Sequence, residues 1–144
     1  MSTDLHFIAT SRLRADGQRY TTRRRALVEL LGEVDQPLTI PQLLERRRDL
    51  AQSSVYRNLA VLERAGVVHR LVTTDEFARY ELAEDLTEHH HHLICDTCGD
   101  VTDFTVPEAV EHELESALSK VARRSGFAVR HHRLDLVGTC PNCT

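Results

Sequence analysis

Apolar residues recur at helical spacing through the first half of the chain and then give way to strand-like alternation. Residues 4–15 carry Leu5, Ile8, Ala9 and Leu13 on one face of a short amphipathic helix, and Asp16-Gly17 breaks it. Leu27, Leu30, Leu31 and Val34 predict a second helix, with Thr21 or Thr22 able to cap it. Asp35-Gln36-Pro37 reads as a turn, and Thr39 caps a third helix with Ile40, Leu43 and Leu44 inward. Val55, Leu59 and Leu62 fall at i, i+4 and i+7 and define a fourth, with serine at its cap and Gly66 at its end. Residues 67–72 and 77–82 then predict two strands about the turn 73–76.

Helices followed by a two-stranded hairpin make a winged helix-turn-helix, whose fourth helix in the chain is the candidate reader of DNA. Farther on, 101–104 predicts a strand. Pro107 then opens a helix from 108 to about 124, with Val110, Leu114, Leu118 and Val121 inward and Gly126 as its cap. Residues 127–137 predict a returning strand. The fold class expected is therefore α+β. A winged-helix domain (1–84) precedes a small α/β domain (85–144), whose sheet edges can pair across a two-fold axis to form a homodimer.

Composition changes this picture little; charge changes it more. At 144 residues, 41% apolar and 28% charged, the chain is an ordinary globular protein. No apolar run approaches the roughly 20 residues that span a bilayer, so no membrane partner is expected. Residues 1–20 lack the apolar stretch of a secretory signal, which leads to an expected cytoplasmic location with reduced thiols. The net charge of −4 is unevenly spread. Residues 1–72 hold twelve arginines against eight acidic residues, and 73–144 hold six basic against fourteen acidic. A basic half joined to an acidic, ligand-rich half suits a polyanion-binding module attached to a sensing or assembly module.

The ligand-rich part centres on 89–98, where four histidines run into Leu93-Ile94-Cys95-Asp96-Thr97-Cys98. A second C-x-x-C pair, Cys140 and Cys143, ends the chain. Two such knuckles can close a four-thiolate zinc site, and Gly99 suits the turn behind the first. Two disulfides, or a redox pair beside a βαβ pattern, are the competing readings. In a strand the histidines alternate in direction, so His89 and His91 face one side and His90 and His92 the other. One tract can thus feed two metal centres. An enzyme is not expected: a zinc deaminase needs an H-x-E triplet, which is absent, and no small-molecule substrate is implied.

On the basic side, Tyr56 and Arg57 fall off the buried stripe of the fourth helix near its start. Arginine there can pair with guanine, and the tyrosine ring can meet a thymine methyl or a phosphate. The blander reading is a packing tyrosine and a solvated arginine. Arg23, Arg24 and Arg25 in the first turn of the second helix oppose its dipole, a cost more readily tolerated beside phosphate.

Several of these motifs occur in one order: Gly17-x-Arg19-x-Thr21-x-x-Arg24, Ser54-Val55-Tyr56-Arg57-x-Leu59, Gly66-Val67-Val68, then the His tract with its C-x-x-C. From Leu13 to Cys143 the chain resembles the ferric/zinc uptake regulator family, the Fur-type metal-dependent repressors. The resemblance implies a homodimer that binds double-stranded operator DNA when metal is bound. Arg19 would enter the minor groove, and Tyr56 and Arg57 the major groove. Cys95, Cys98, Cys140 and Cys143 would hold a structural Zn2+.

A regulatory site would draw on Glu81, His90 and His92. The loop histidine that many iron-type members add is replaced by Pro37, and His69 stands where several zinc-type members place a ligand. The set expected is therefore His69, Glu81, His90 and His92, holding Zn2+ or Fe2+. A further site would join His89, His91 and His132, the last on the final strand, to a glutamate of the dimerisation helix. Counting back from Gly126-Phe127 selects Glu115, with Glu111 one turn earlier in reserve, and His112 and His131 as bystanders. Iron-responsive or peroxide-sensing members of the family are the alternatives, and a zinc storage or chaperone protein lies outside it.

Overall fold

The computed structural model describes residues 3–73 and 75–144. Helix α1 (Thr3–Ala15) buries Leu5, Ala9 and Leu13 and ends before Gly17, whose φ of 72° belongs to the left-handed region. The Thr21 hydroxyl accepts from the Arg24 amide and starts α2 (Thr22–Glu33), which buries Leu27, Val28, Leu30 and Leu31. Thr39 ends a two-residue strand, β1 (Leu38–Thr39), and caps α3 (Ile40–Arg46) in the same stroke. Its hydroxyl accepts from the Gln42 amide at 3.3 Å, and the Gln42 side chain accepts from its amide at 2.8 Å.

Helix α4 (Gln52–Arg64) buries the predicted stripe of Val55, Leu59 and Leu62, but its cap differs from the expected serine. Ala51 occupies that position without a side-chain bond, and the Ser54 hydroxyl instead accepts from Asn58 one turn along. Past Gly66, β2 (Val68–Val72) and β3 (Ala78–Leu82) form the wing. Strand β1 adds to the wing's other side, giving the antiparallel order β1-β3-β2. One face of this sheet, with Val68, Tyr80 and Leu82, completes the core that α1 to α4 surround. The opposite face carries His69, Leu71, Arg79 and Glu81, because side chains alternate along a strand.

A short 3-10 turn (Glu84–Leu86) leads to the second sheet. Its strands β4 (His91–Cys95), β5 (Val101–Phe104) and β6 (Asp135–Gly138) take the order β5-β4-β6, antiparallel on one side and parallel on the other. Strand β6 is shorter than the stretch 127–137 because β4 offers it only residues 92 to 95 as partners. Helix α5 (Glu108–Ser125) ends at Gly126, φ 73°, as its sequence predicts. This is an α+β fold, a winged helix-turn-helix followed by a small α/β domain.

The expected inward face of α5 is not inward. Val110, Leu118 and Val121 are 48%, 37% and 56% exposed, and only Ala122 is buried on that helix. Leu93, Phe127, Val129, Leu136 and Val137 are exposed as well. The helical periodicity holds along α5, but most of its apolar stripe is exposed in the single chain. Among the described residues, no helix is long and apolar enough to cross a membrane.

Leu59 anchors α4 to this core without any exposed surface. Leu59→Ala is expected to lower unfolding stability by about 2–5 kcal/mol, read from chemical denaturation. A loss below about 1 kcal/mol would mean the helix is held by something other than this packing.

Candidate metal centres and nucleic-acid face

The two knuckles converge. The sulfurs of Cys95, Cys98, Cys140 and Cys143 all lie within 4.8 Å of one another, and all four cysteines are free thiols. Gly99 has the positive φ, 81°, that the first knuckle needs, and its amide bonds the Cys95 carbonyl at 2.9 Å. The Cys98 and Cys140 amides donate to Cys95 Sγ at 3.5 and 3.3 Å and hold that thiol down to about 6. Cys143 is pushed up to about 12, chiefly by its bond with Cys140. Four sulfurs this close together form a compact soft-donor set. Tetrahedral Zn2+ fits four thiolates.

A second cluster spans the junction of the two sheets. Glu81 of β3 meets His90 and His92 at the start of β4 and Asp103 of β5, with donor atoms within 4.8 Å of one another. Glu81 Oε2 lies 3.0 Å from His90 Nε2 and 3.1 Å from His92 Nε2. Asp103 stands at 3.8 and 3.6 Å from the same nitrogens. Burial works to raise the Glu81 carboxyl, but the His92 and His90 bonds outweigh it and hold it below its ordinary value. Burial also works against charge on both imidazoles. Glu81 and, for His90, the Glu88 carbonyl reverse this and raise them. At Asp103 burial dominates, with the Glu81 charge adding to it and the His90 and His92 charges only partly opposing it, and the carboxyl is lifted to about 6.

Asp103 Oδ1 and His92 Nδ1 are buried without a hydrogen-bond partner, although Asp135 Oδ1 faces His92 Nδ1 at 3.4 Å. A buried carboxylate oxygen left without a donor, beside a second carboxylate and two imidazoles, fits a divalent cation.

This set differs from the expected one. His69 does pair opposite Glu81 in the wing, but it lies outside the cluster, exposed on the edge strand β2. Asp103 takes its place because β5 pairs with β4 in the register that sets Asp103 beside His92. The readable signal was a lone carboxylate inside the apolar strand Val101–Phe104. Pro37 contributes nothing here. Its neighbour Gln36 lines a cleft of about 250 Å³ together with Glu81, His90 and Asp103.

The alternation of the histidine tract holds, since His89 and His91 turn to the other side and meet α5. His91 Nε2 lies 2.8 Å from Glu111 Oε2, while His89 and His132 lie 3.0 and 2.7 Å from Glu111 Oε1. His89 also contacts Glu84. The bond to His91 foremost keeps the Glu111 carboxyl below its ordinary value. The glutamate is thus Glu111 and not Glu115, which is exposed and outside the cluster. The tract meets the first turns of α5, so counting back from its far end stops one turn short. His132 belongs to the group, though it precedes β6 instead of lying on a strand. His112 and His131 stand outside.

On the N-terminal domain, Arg19, Tyr56 and Arg57 are all exposed, the tyrosine at 53%. Arg24 links their supports. Its guanidinium donates to the Arg19 carbonyl at 2.8 Å, to Gln18 Oε1 at 3.2 Å and to Asn58 Oδ1 of α4 at 2.9 Å. The loop bearing Arg19 and the helix bearing Tyr56 and Arg57 are therefore held in one relation. The sequence marked Arg24 as part of a motif without indicating this role.

The model of the ferric uptake regulator family matches residues 15–137. Among curated relatives, the peroxide operon regulator of Bacillus subtilis is 33% identical over 140 residues, covering 94% of this chain and 91% of that one. The ferric uptake regulation protein of Neisseria meningitidis serogroup A is 35% identical over 101 residues, 70% of this chain and 65% of that one. Among solved structures, the Helicobacter pylori ferric uptake regulator, described with three functional metal binding sites, has a TM-score of 0.71. It is 27% identical, with 96% of this chain and 93% of that one covered. A zinc-bound manganese uptake regulator aligns with a TM-score of 0.63 at 31% identity, over 94% of this chain and 98% of that one. From two knuckles, a split histidine tract and a winged helix in this order, the conclusion follows that the chain belongs to the ferric uptake regulator family of metal-responsive transcription regulators.

Proposed function

We propose that this protein is a repressor that binds operator DNA as a homodimer when a divalent cation occupies the Glu81–His90–His92–Asp103 site. The observation that carries the reading is the position of Glu81. It belongs to the wing, whereas His92 and Asp103 belong to the second sheet and His90 immediately precedes that sheet's middle strand. A cation bound there supplies bonds to both halves at once. Glu81 then fixes the wing, His90 and His92 fix the start of β4, and Asp135 steadies the His92 ring from behind. Two reading helices held this way can match successive major-groove faces about 34–36 Å apart. Without the link only a fraction of orientations fits, and affinity falls by that fraction.

On this reading 1–84 serves DNA and 85–144 serves assembly and metal, with Glu81 the metal donor supplied by the first. Arg19, Tyr56 and Arg57 make the DNA contacts, and the exposed apolar face of α5 and β6 meets the partner subunit. Zn2+ occupies the four-cysteine site in a structural role. At the regulatory site two imidazoles and two carboxylates replace the expected three imidazoles and one. Zinc remains compatible, but the harder donor set moves the preference toward Fe2+ or Mn2+. A peroxide-sensing role is the second reading, favoured by the likeness to the B. subtilis regulator. It predicts added oxygen on His90 or His92, seen by mass spectrometry after peroxide treatment of the iron-loaded protein.

Operator fragments selected from genomic DNA should bind about 5–150-fold more tightly as buffered free metal rises, tested with Mn2+, Zn2+ and, anaerobically, Fe2+. Glu81→Gln should abolish that response while zinc stays in the cysteine site. Metal-independent binding by the native protein would end the reading.

The raised histidines give a signed pH dependence. In metal-free protein their pairing with Glu81 stabilises the fold fully below the ordinary histidine value of 6.5 and is lost as pH rises through the raised values. The lowered Glu81 sets the other limit, its contribution present above 4.5 and lost as pH falls through its folded value. Cation binding requires both rings deprotonated and so strengthens with pH. The gain in melting temperature on adding Mn2+ should therefore widen between about pH 6 and about pH 8. A constant gain across that range would show that these rings are not the ligands.

Glu111→Gln should weaken one class of calorimetrically titrated Mn2+ or Zn2+ sites by at least about tenfold. Glu115→Gln should change none, and equal effects from the two would exclude the cluster on α5.

A further inference from the structure

The outer face of the wing sheet carries more than Glu81. Leu71 is fully buried and Arg79 is 4% exposed, yet neither belongs to the N-terminal core, which packs against the opposite face. Arg79 is a cation that burial would penalise unless it were paired. Its guanidinium donates to both oxygens of Asp75, at 2.8 and 2.9 Å, and to the Thr73 hydroxyl at 3.2 Å. Asp75 Oδ1 also accepts from the Thr73 hydroxyl at 3.0 Å and from the Phe77 amide at 3.3 Å. A carboxylate with this many donors has little freedom to move.

That carboxylate lies against the first cysteine knuckle. A methyl group placed on Gly99 would overlap the Asp75 carboxylate and stand only 3.0 Å from Asp75 Cβ. Gly99 is thus required twice. Its φ of 81° serves the knuckle turn, and its missing side chain leaves room for a residue 24 positions away, on the other domain. With Glu81 at one end of the wing face and Asp75 at the other, the wing lies along β4 from the histidine tract to the cysteines.

We propose that this seat is a second link between the two halves, in which Asp75, locked by Arg79, docks the tip of the wing on the 95–99 knuckle. Asp75 and Arg79 are positioning residues. The knuckle, held by its own zinc, directs the wing as well as folding its own domain. The inference rests on reading the N-terminal half as a DNA-binding arm, but the seat itself can be tested without DNA.

Hydrogen exchange of residues 70–80 is measured on full-length protein carrying zinc in the cysteine site alone, its stoichiometry checked for each variant. Asp75→Ala, Arg79→Gln and Gly99→Ala should each speed exchange across the wing while zinc content stays at the wild-type level. The part of the Gly99→Ala effect that comes from overlap with Asp75 should disappear in an Asp75→Ala background, leaving only the strain of alanine at a φ of 81°. Arg79→Gln covers the case in which alanine at 99 fails to fold. With the regulatory site saturated by Mn2+, Asp75→Ala should bind operator about tenfold more weakly, with the midpoint of its Mn2+ response unchanged. Unaltered exchange in Asp75→Ala, additive effects at 75 and 99, or wild-type operator affinity would each overturn the proposal. If the exchange results hold while native protein ignores metal on DNA, the functional reading fails and the seat stands.

Discussion

Glu81 reaches out of the wing to bond two imidazoles of another sheet at 3.0 and 3.1 Å, and both domains are arranged around that crossing. Its strand is central in the wing sheet, paired on both sides, so the carboxylate is carried on a rigid platform. The imidazoles it meets stand where the chain enters β4, a few residues after the 3-10 turn that joins the domains. The two imidazoles are raised and the glutamate beside them lowered, so protons are held at this crossing. On the proposed function, protons and metal compete for the same atoms. The difference is reach, since a metal can also recruit Asp103, whose inner oxygen lacks a donor.

The four histidines show how economical alternation is. One extended tract at the edge of β4 sends His90 and His92 to the hinge and His89 and His91 to α5, with ring centroids 5.1 and 4.8 Å apart within each pair. Both clusters are carried by one continuous stretch of backbone. Because β4 is also the middle strand, its far end delivers Cys95 to the knuckles. All three donor clusters are threaded on one strand of five residues and the step before it.

What the sequence disclosed, and what it withheld, divides along physical lines. Local periodicity placed α1 to α5, and glycine at positive φ marked the turns at 17, 66, 99 and 126. Cysteine spacing predicted the four-sulfur cluster, and strand alternation predicted which histidines go together. The sequence is silent where a long-range register decides. Nothing in residues 101–104 alone says that Asp103 pairs with His92, whereas His69 is indicated by the family resemblance. The choice between Glu111 and Glu115 depended on which turn of α5 lies over the histidine tract, a packing question. Val110, Leu118 and Val121 fall on one apolar stripe, but periodicity cannot say whether such a stripe meets its own sheet or another molecule. Arg79 and Asp75 carried no signal at all, because a buried ion pair in a hairpin turn looks like solvated charge until the surface opposite is known.

The bare stripe on α5 has a corollary for dosage. On the proposed assembly, the second domain completes its hydrophobic core only by meeting a sister copy, and mass action then governs how much of the population is paired. Scarce protein would dissociate into halves that each grip a single DNA half-site weakly, whatever the ionic supply. Abundance in the cell thereby becomes an independent input to the switch, one that a metal buffer cannot override.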